Sequence, residues 1–144
     1  MSSDDLITLF SDEFEKLKKL LDQISPDNEL TVNQIVEIYY QITNVSSLTE
    51  VIKQQLDDFD STSFEKISNT QNFISENFNS TIHPKIMKNI DDSISEITKN
   101  LQSLNSDEKS KETIENEAKL YEKLREFMST KEFVMQYNAG LSND

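Results

Sequence analysis

The sequence predicts an all-α protein, an elongated helical bundle or antiparallel coiled-coil hairpin of about four main helices. Three observations predict it. Among 144 residues there is one glycine, Gly140, and two prolines, Pro26 and Pro84. Sheet proteins of this size need many tight turns, and tight turns draw on both residue types for their special backbone angles. The apolar residues recur at intervals of three and four, the helical period, and not at two. Only 35% of residues are hydrophobic and there is no Trp, so each helix buries a narrow stripe and leaves most of its girth in water. The segments fall at 4–24, 32–59, 63–79, 84–104 and 107–138, within a single helical domain over 1–144. No internal repeat of fixed period is present.

Phe10, Phe14, Leu17, Leu21 and Ile24 lie 4, 3, 4 and 3 residues apart, the spacing of a heptad seam. Acidic residues after Ser3 suit the positive end of a helix, and Ser25-Pro26 stops it, because the residue before proline is driven out of helical geometry. Thr31 caps the second helix, whose line runs through Ile35, Ile38, Ile42, Val45, Ile52, Leu56 and Phe59, with Thr49 at the missing seam position. Its β-branched residues suggest a strand, but their three-and-four recurrence decides for helix. Asn44-Val45-Ser46-Ser47 is a candidate break, since these side chains compete for backbone hydrogen bonds.

The third segment carries Phe64, Ile67, Phe73, Ile74 and Phe78, diluted by Asn and Ser. Pro84 then suits the first turn of a new helix, where its missing N–H is not needed. That helix holds the cleanest seam: Met87, Ile90, Ile94, Ile97, Leu101 and Leu104, spaced 3, 4, 3, 4, 3. The last helix has a stripe of Ile114, Ala118, Tyr121, Leu124 and Met128, and Ser129-Thr130 is a candidate cap for a short terminal turn holding Phe133, Val134 and Tyr137. Gly140 follows as a helix-ending residue.

Fourteen basic residues against 27 acidic ones give a net charge of −13. Nucleic-acid backbones and anionic membrane surfaces repel such a chain, so no nucleic acid and no membrane insertion are expected. With no cysteine, disulfides, thiol catalysis and thiolate-bound metals are excluded. No basic and apolar leader is visible, and no apolar run reaches the ~18 residues of a membrane span. The expected location is intracellular, cytoplasmic or nuclear.

No constellation for chemistry emerges. His83 is the lone histidine and sits before a helix-starting proline, the place of a turn residue. Asp58, Asp60 and Thr62 imitate the start of a calcium loop, but Ser63 stands where that loop needs Gly and Asn69 where it needs a bidentate Glu. Acidic pairs such as Asp91/Asp92 occupy solvated helix faces. No enzyme activity, cofactor or metal is expected.

The apolar seams carry what signal there is. The residues assigned to packing or protein binding are Met87, Ile90, Ile94, Ile97, Leu101 and Leu104, with Phe10, Phe14, Leu17 and Leu21 second. In general appearance the chain resembles the small helical subunits of eukaryotic multi-subunit complexes, a likeness of composition and heptads that carries over no residue. The expected function is that of a non-enzymatic scaffold or adaptor subunit that packs against other helical subunits, a hetero-oligomer before a homo-oligomer. The alternative is a self-contained bundle that binds a small ligand or peptide in an interhelical groove.

Overall fold

The computed structural model describes residues 3–25, 27–55, 61–104 and 110–137; 89% of the residues it describes are helical, and none is in a strand. The helices are α1 (Ser3–Leu21), α2 (Val32–Lys53), α3 (Ser61–Asn77), α4 (His83–Ser103) and α5 (Lys111–Tyr137). A π turn, Phe78–Ile82, joins α3 to α4 without a loop. The chain therefore forms four rods, and the third is 43 residues long.

Local chemistry accounts for the elements. α1 has Asp4 and Asp5 in its first turn and Lys18 and Lys19 in its last, matching the helix dipole at both ends. It closes at Leu21, earlier than the predicted 24, as the N–H groups of Gln23 and Ile24 reach the carbonyls of Leu20 and Leu21, both 3.1 Å. Pro26 lies outside the described residues. α2 opens with a capping box: Gln34 N–H donates to Thr31 Oγ1 (3.1 Å), while Gln34 Oε1 accepts from Thr31 N–H (2.8 Å). The helix continues through the candidate break at Asn44, and the hydroxyls of Thr43 and Thr49 donate to the carbonyls of Tyr39 and Ser46. The part of the predicted second helix that holds Leu56 and Phe59 lies outside the described residues, as do 105–109 and the Gly140 region.

The boundary predicted between 79 and 84 is not a break. Pro84 enters the first turn of α4 as expected, but the rod passes through it. Proline in an α-helix clashes with the carbonyl four residues back. The π turn widens the backbone at that point, with His83 N–H bonded to Phe78 O in the five-residue pattern. α5 likewise continues past Ser129 and Thr130; the Thr130 hydroxyl bonds back to Glu126 O (2.7 Å) and caps nothing.

The rods run up, down, up, down. α1 and α2 form a hairpin, fixed where Gln41 Nε2 donates to both the backbone carbonyl (2.8 Å) and the carboxylate (2.6 Å) of Glu13. α4 and α5 form another, in which Lys131 pairs with Asp91 at 2.8 Å. α2 packs on both α3 and α5, and it buries Ile35, Ile38, Tyr39, Ile42, Val45, Thr49 and Ile52 on several of its faces. Asn89 on α4 secures the loop before α2: its Oδ1 accepts from Leu30 N–H (3.0 Å) and its Nδ2 donates to Asn28 O (2.7 Å).

Burial is unevenly distributed. Beyond Ile97 no described residue of α4 is buried, and before Phe127 none of α5 is. There the two helices pack on each other through Leu101, Leu120 and Leu124, which stay half-exposed. The end of α4 and the start of α5 thus form a two-helix arm beyond the main core.

Ile38 is fully buried, whereas Tyr40 is 64% exposed. Ile38→Ala is expected to destabilise the fold by about 2–5 kcal/mol, and Tyr40→Ala by no more than about 0.5 kcal/mol. Urea unfolding followed by circular dichroism separates the two; equal effects would mean that α2 presents a different face inward.

Candidate protein-binding surface

The two sequence-predicted seams lie inside the chain. Phe10, Leu17, Ile90 and Ile97 are buried, and Phe14, Leu21, Met87, Ile94 and Leu101 are half-buried against the same core. Leu104 is half-buried at the tip of the arm. Intramolecular packing therefore occupies these faces.

The predicted stripes of α3 and α5 need correction. On α3 the buried line is Ile67, Thr70 and Ile74, continuing to Phe78, while Phe64 and Phe73 sit at the surface. Asn69 and Asn72, two of the Asn residues that dilute this segment, are exposed. On α5 the inner line is Leu120, Leu124, Phe127, Thr130, Val134 and Tyr137. Of the stripe expected there only Leu124 faces the core, and Ala118 points to solvent.

What remains outside is a second line on α5, regular to the heptad. Ile114, Tyr121, Met128 and Met135 are 55%, 49%, 54% and 59% exposed, and each is seven residues from the next. Seven residues advance about 10 Å along a helix and return nearly to the same face. Single exposed apolar residues are ordinary. Four at heptad spacing line one side of the rod, with Glu117, Leu124, Arg125 and Glu132 at the positions between them.

A separate groove of about 590 Å³ opens between α1 and α3. Phe14 and Phe73 meet edge to face on its floor, 5.9 Å between ring centres. Lys18 Nζ stands 4.9 Å above the Phe14 ring, and Lys66 Nζ donates to Ser11 Oγ (2.9 Å) across the opening. Glu15 and Glu65 line it too, so its charge is balanced.

An aromatic cluster at the π turn holds α2, α4 and α5 together. The Tyr39 ring lies 4.8 Å from that of Tyr137 and 5.9 Å from those of Phe78 and Phe133. Its hydroxyl lies 3.2 Å from His83 Nδ1. The hydroxyls of Tyr137 and Thr43 also bond to each other. Burial pushes the Tyr39 and Tyr137 hydroxyls above the ordinary phenol range and His83 below the ordinary imidazole range. Both effects keep the groups neutral near pH 7, and the hydroxyl and the neutral ring share one hydrogen bond whose donor follows the ring tautomer. His83, read in the sequence as a turn residue, is thus a tether between helices. The cluster positions α5 and has the character of a structural anchor.

Elsewhere, Glu29 is raised above the usual carboxylate range by a hydrogen bond and charge repulsion from Glu96. Among the described residues no group of three His, Cys, Asp or Glu side chains is placed to hold a metal ion, and no helix is long and apolar enough to cross a membrane. Comparison with family models, with curated proteins and with solved structures finds no match.

The lowered His83 pKa has a stability consequence. The folded state prefers the neutral ring, so the unfolded chain binds more protons between the folded value and about 6.5. The contribution of His83 is present above pH 6.5 and is lost as the pH falls toward its folded value. Midpoints of urea unfolding are expected to decline from pH 7.5 to 5.5 in the wild type and to decline less in His83→Gln; parallel declines would place the titration elsewhere.

Proposed function

We propose that the chain is a non-enzymatic scaffold or adaptor subunit that binds other proteins by helix packing on the outer face of α5. One observation carries this: a heptad row of apolar side chains stays at the surface after every helix has contributed to the core. A row without a partner helix leaves apolar area in water, at about 25 cal/mol per Å². A partner helix laid along it removes that area and adds the missing layer over the arm. The partners proposed are other helical subunits, and the overall charge of −13 points to partners less acidic than this chain.

A second reading has an observation of its own. The α1–α3 groove, with Phe14 and Phe73 on its floor, has the size of a ligand or peptide-side-chain site. Its balanced charges and wide mouth suit an apolar side chain of a bound segment better than a charged small molecule.

The two readings separate by mutation. Tyr121→Glu with Met128→Glu places charges on the α5 row at exposed positions, and Phe73→Ser alters the groove. Affinity-tagged chain expressed in its native cells, cross-linked and purified, is expected to lose specific co-purifying proteins in the α5 variant and keep them in the groove variant. The reverse pattern would transfer the function to the groove, and retention in both would overturn both.

A further inference from the structure

We infer that the arm is a cooperative unit of its own, whose two helices part and reclose while the main core stays folded. Its described residues are 98–104 and 111–126. The opening is a property of the free chain, whatever the α5 row binds.

Helical stability in water comes mainly from the packing of an apolar face, and isolated helices shorter than about 12–15 residues are marginal. In the arm none of the described residues is buried. Its inner positions are half-buried: Leu101 and Leu104 from the α4 side, and Thr113, Glu117, Leu120 and Leu124 on α5. Two of those four on α5 are polar, so the apolar content thins towards the start of the helix. The rest of α5 is held differently. Phe127, Thr130 and Val134 are buried, and Phe133 and Tyr137 lie against the Tyr39 ring. Parting the arm exposes a few half-buried leucines, whereas parting the rest of α5 dismantles the aromatic cluster. Segments with few buried apolar contacts open at a lower free energy than the core.

The boundary of the unit is sharp. Ile97 and Phe127, each 4% exposed, are the last buried positions before the arm on their helices. The pairing of Lys131 with Asp91 and the bond between the Tyr137 and Thr43 hydroxyls lie on the core side of that boundary. The loop before α2 reaches α5 at Lys123, Glu126 and Phe127, the root of the arm. At the far end Thr113 N–H donates to Ser110 Oγ (3.1 Å), a cap that supports α5 as a helix without fixing it to α4.

The division runs through the exposed row. Ile114 and Tyr121 lie on the arm, and Met128 and Met135 on the half that the core holds. One half of the row is therefore fixed in direction, and the other moves with an equilibrium that the core does not share.

Native-state hydrogen exchange of the full chain, read residue by residue by NMR at low urea concentrations, tests this. Amides from 113 to 124 are expected to share one level of protection, lower by about a hundredfold or more than that of Ile35, Ile38 and Ile42, with a weaker dependence on urea. Leu120→Ser is expected to speed exchange in the arm by about tenfold and to leave the α2 amides unchanged. Ile38→Val should do the opposite, speeding the α2 amides by about three- to tenfold and leaving the arm as it was. Equal protection and equal urea dependence in both regions would overturn the proposal, as would a Leu120→Ser chain that speeds both alike or fails to fold. Protection that declines smoothly from 126 to 111 would also overturn it, because the arm would then fray from its end and not open as a unit.

Discussion

The third rod is longer than anything available to cover it. At 43 residues it exceeds α1, α2 and α5, which have 19, 22 and 27. Antiparallel packing in a short-looped chain places each rod beside its neighbour in sequence. α1 and α2 therefore lie along the first part of the third rod, and α5 folds back along the last. All the rods overlap around the middle, and buried positions run along the third rod from Ile67 to Ile97. The arm at the far end follows from length alone.

The middle of the rod is also where proline interrupts it. Pro84 would clash with the carbonyl a turn back in a regular helix, and the π turn relieves the clash. The same turn sets Phe78 and His83 against Tyr39, so that the place of poorest helical bonding has the densest aromatic contact. Polar clamps do the remaining alignment. Gln41 on Glu13, Asn89 on the loop at Asn28 and Leu30, and Gln71 on Thr49 each bridge different elements. Such bonds add about 0.5–1.5 kcal/mol apiece, little against the apolar core. Their directionality fixes the register of rods whose narrow stripes would otherwise permit sliding by a heptad.

The fold class was legible because it depends on what each segment can do alone. Turn residues are scarce, the caps are local, and the 3.6 period in α1 and α4 is strong. Which face points inward is a different kind of fact, decided by neighbours. α5 carries two apolar rows, one through Leu120, Leu124, Phe127 and Val134 and the other through Ile114, Tyr121, Met128 and Met135. Both have helical spacing, and the sequence does not say which one α4 will meet. The rows differ in type: the buried one has Leu, Phe and Val, and the exposed one has two Met and a Tyr, residues common at adaptable binding surfaces. α3 shows the same ambiguity, since Phe64 and Phe73 outrank Thr70 in hydrophobicity and still face outward. The role of His83 was invisible for another reason, because its partner Tyr39 is 44 residues away.

A thin apolar composition and a surplus apolar row look contradictory in one protein, and the geometry reconciles them. With few apolar residues, a self-sufficient monomer would be expected to turn nearly all of them inward. This chain instead leaves Thr70, Ser93 and Thr130 in buried positions while Tyr121, Met128 and Met135 stay outside. Rotating α5 by about 100° would bury the outer row, but it would expose Phe127 and Val134 and pull Tyr137 away from Tyr39. The aromatic anchor at the π turn therefore fixes the rotation of α5 and, with it, the outward direction of the second row. The surface row is a consequence of how the core is locked, and its outward direction is fixed together with the rotation of α5.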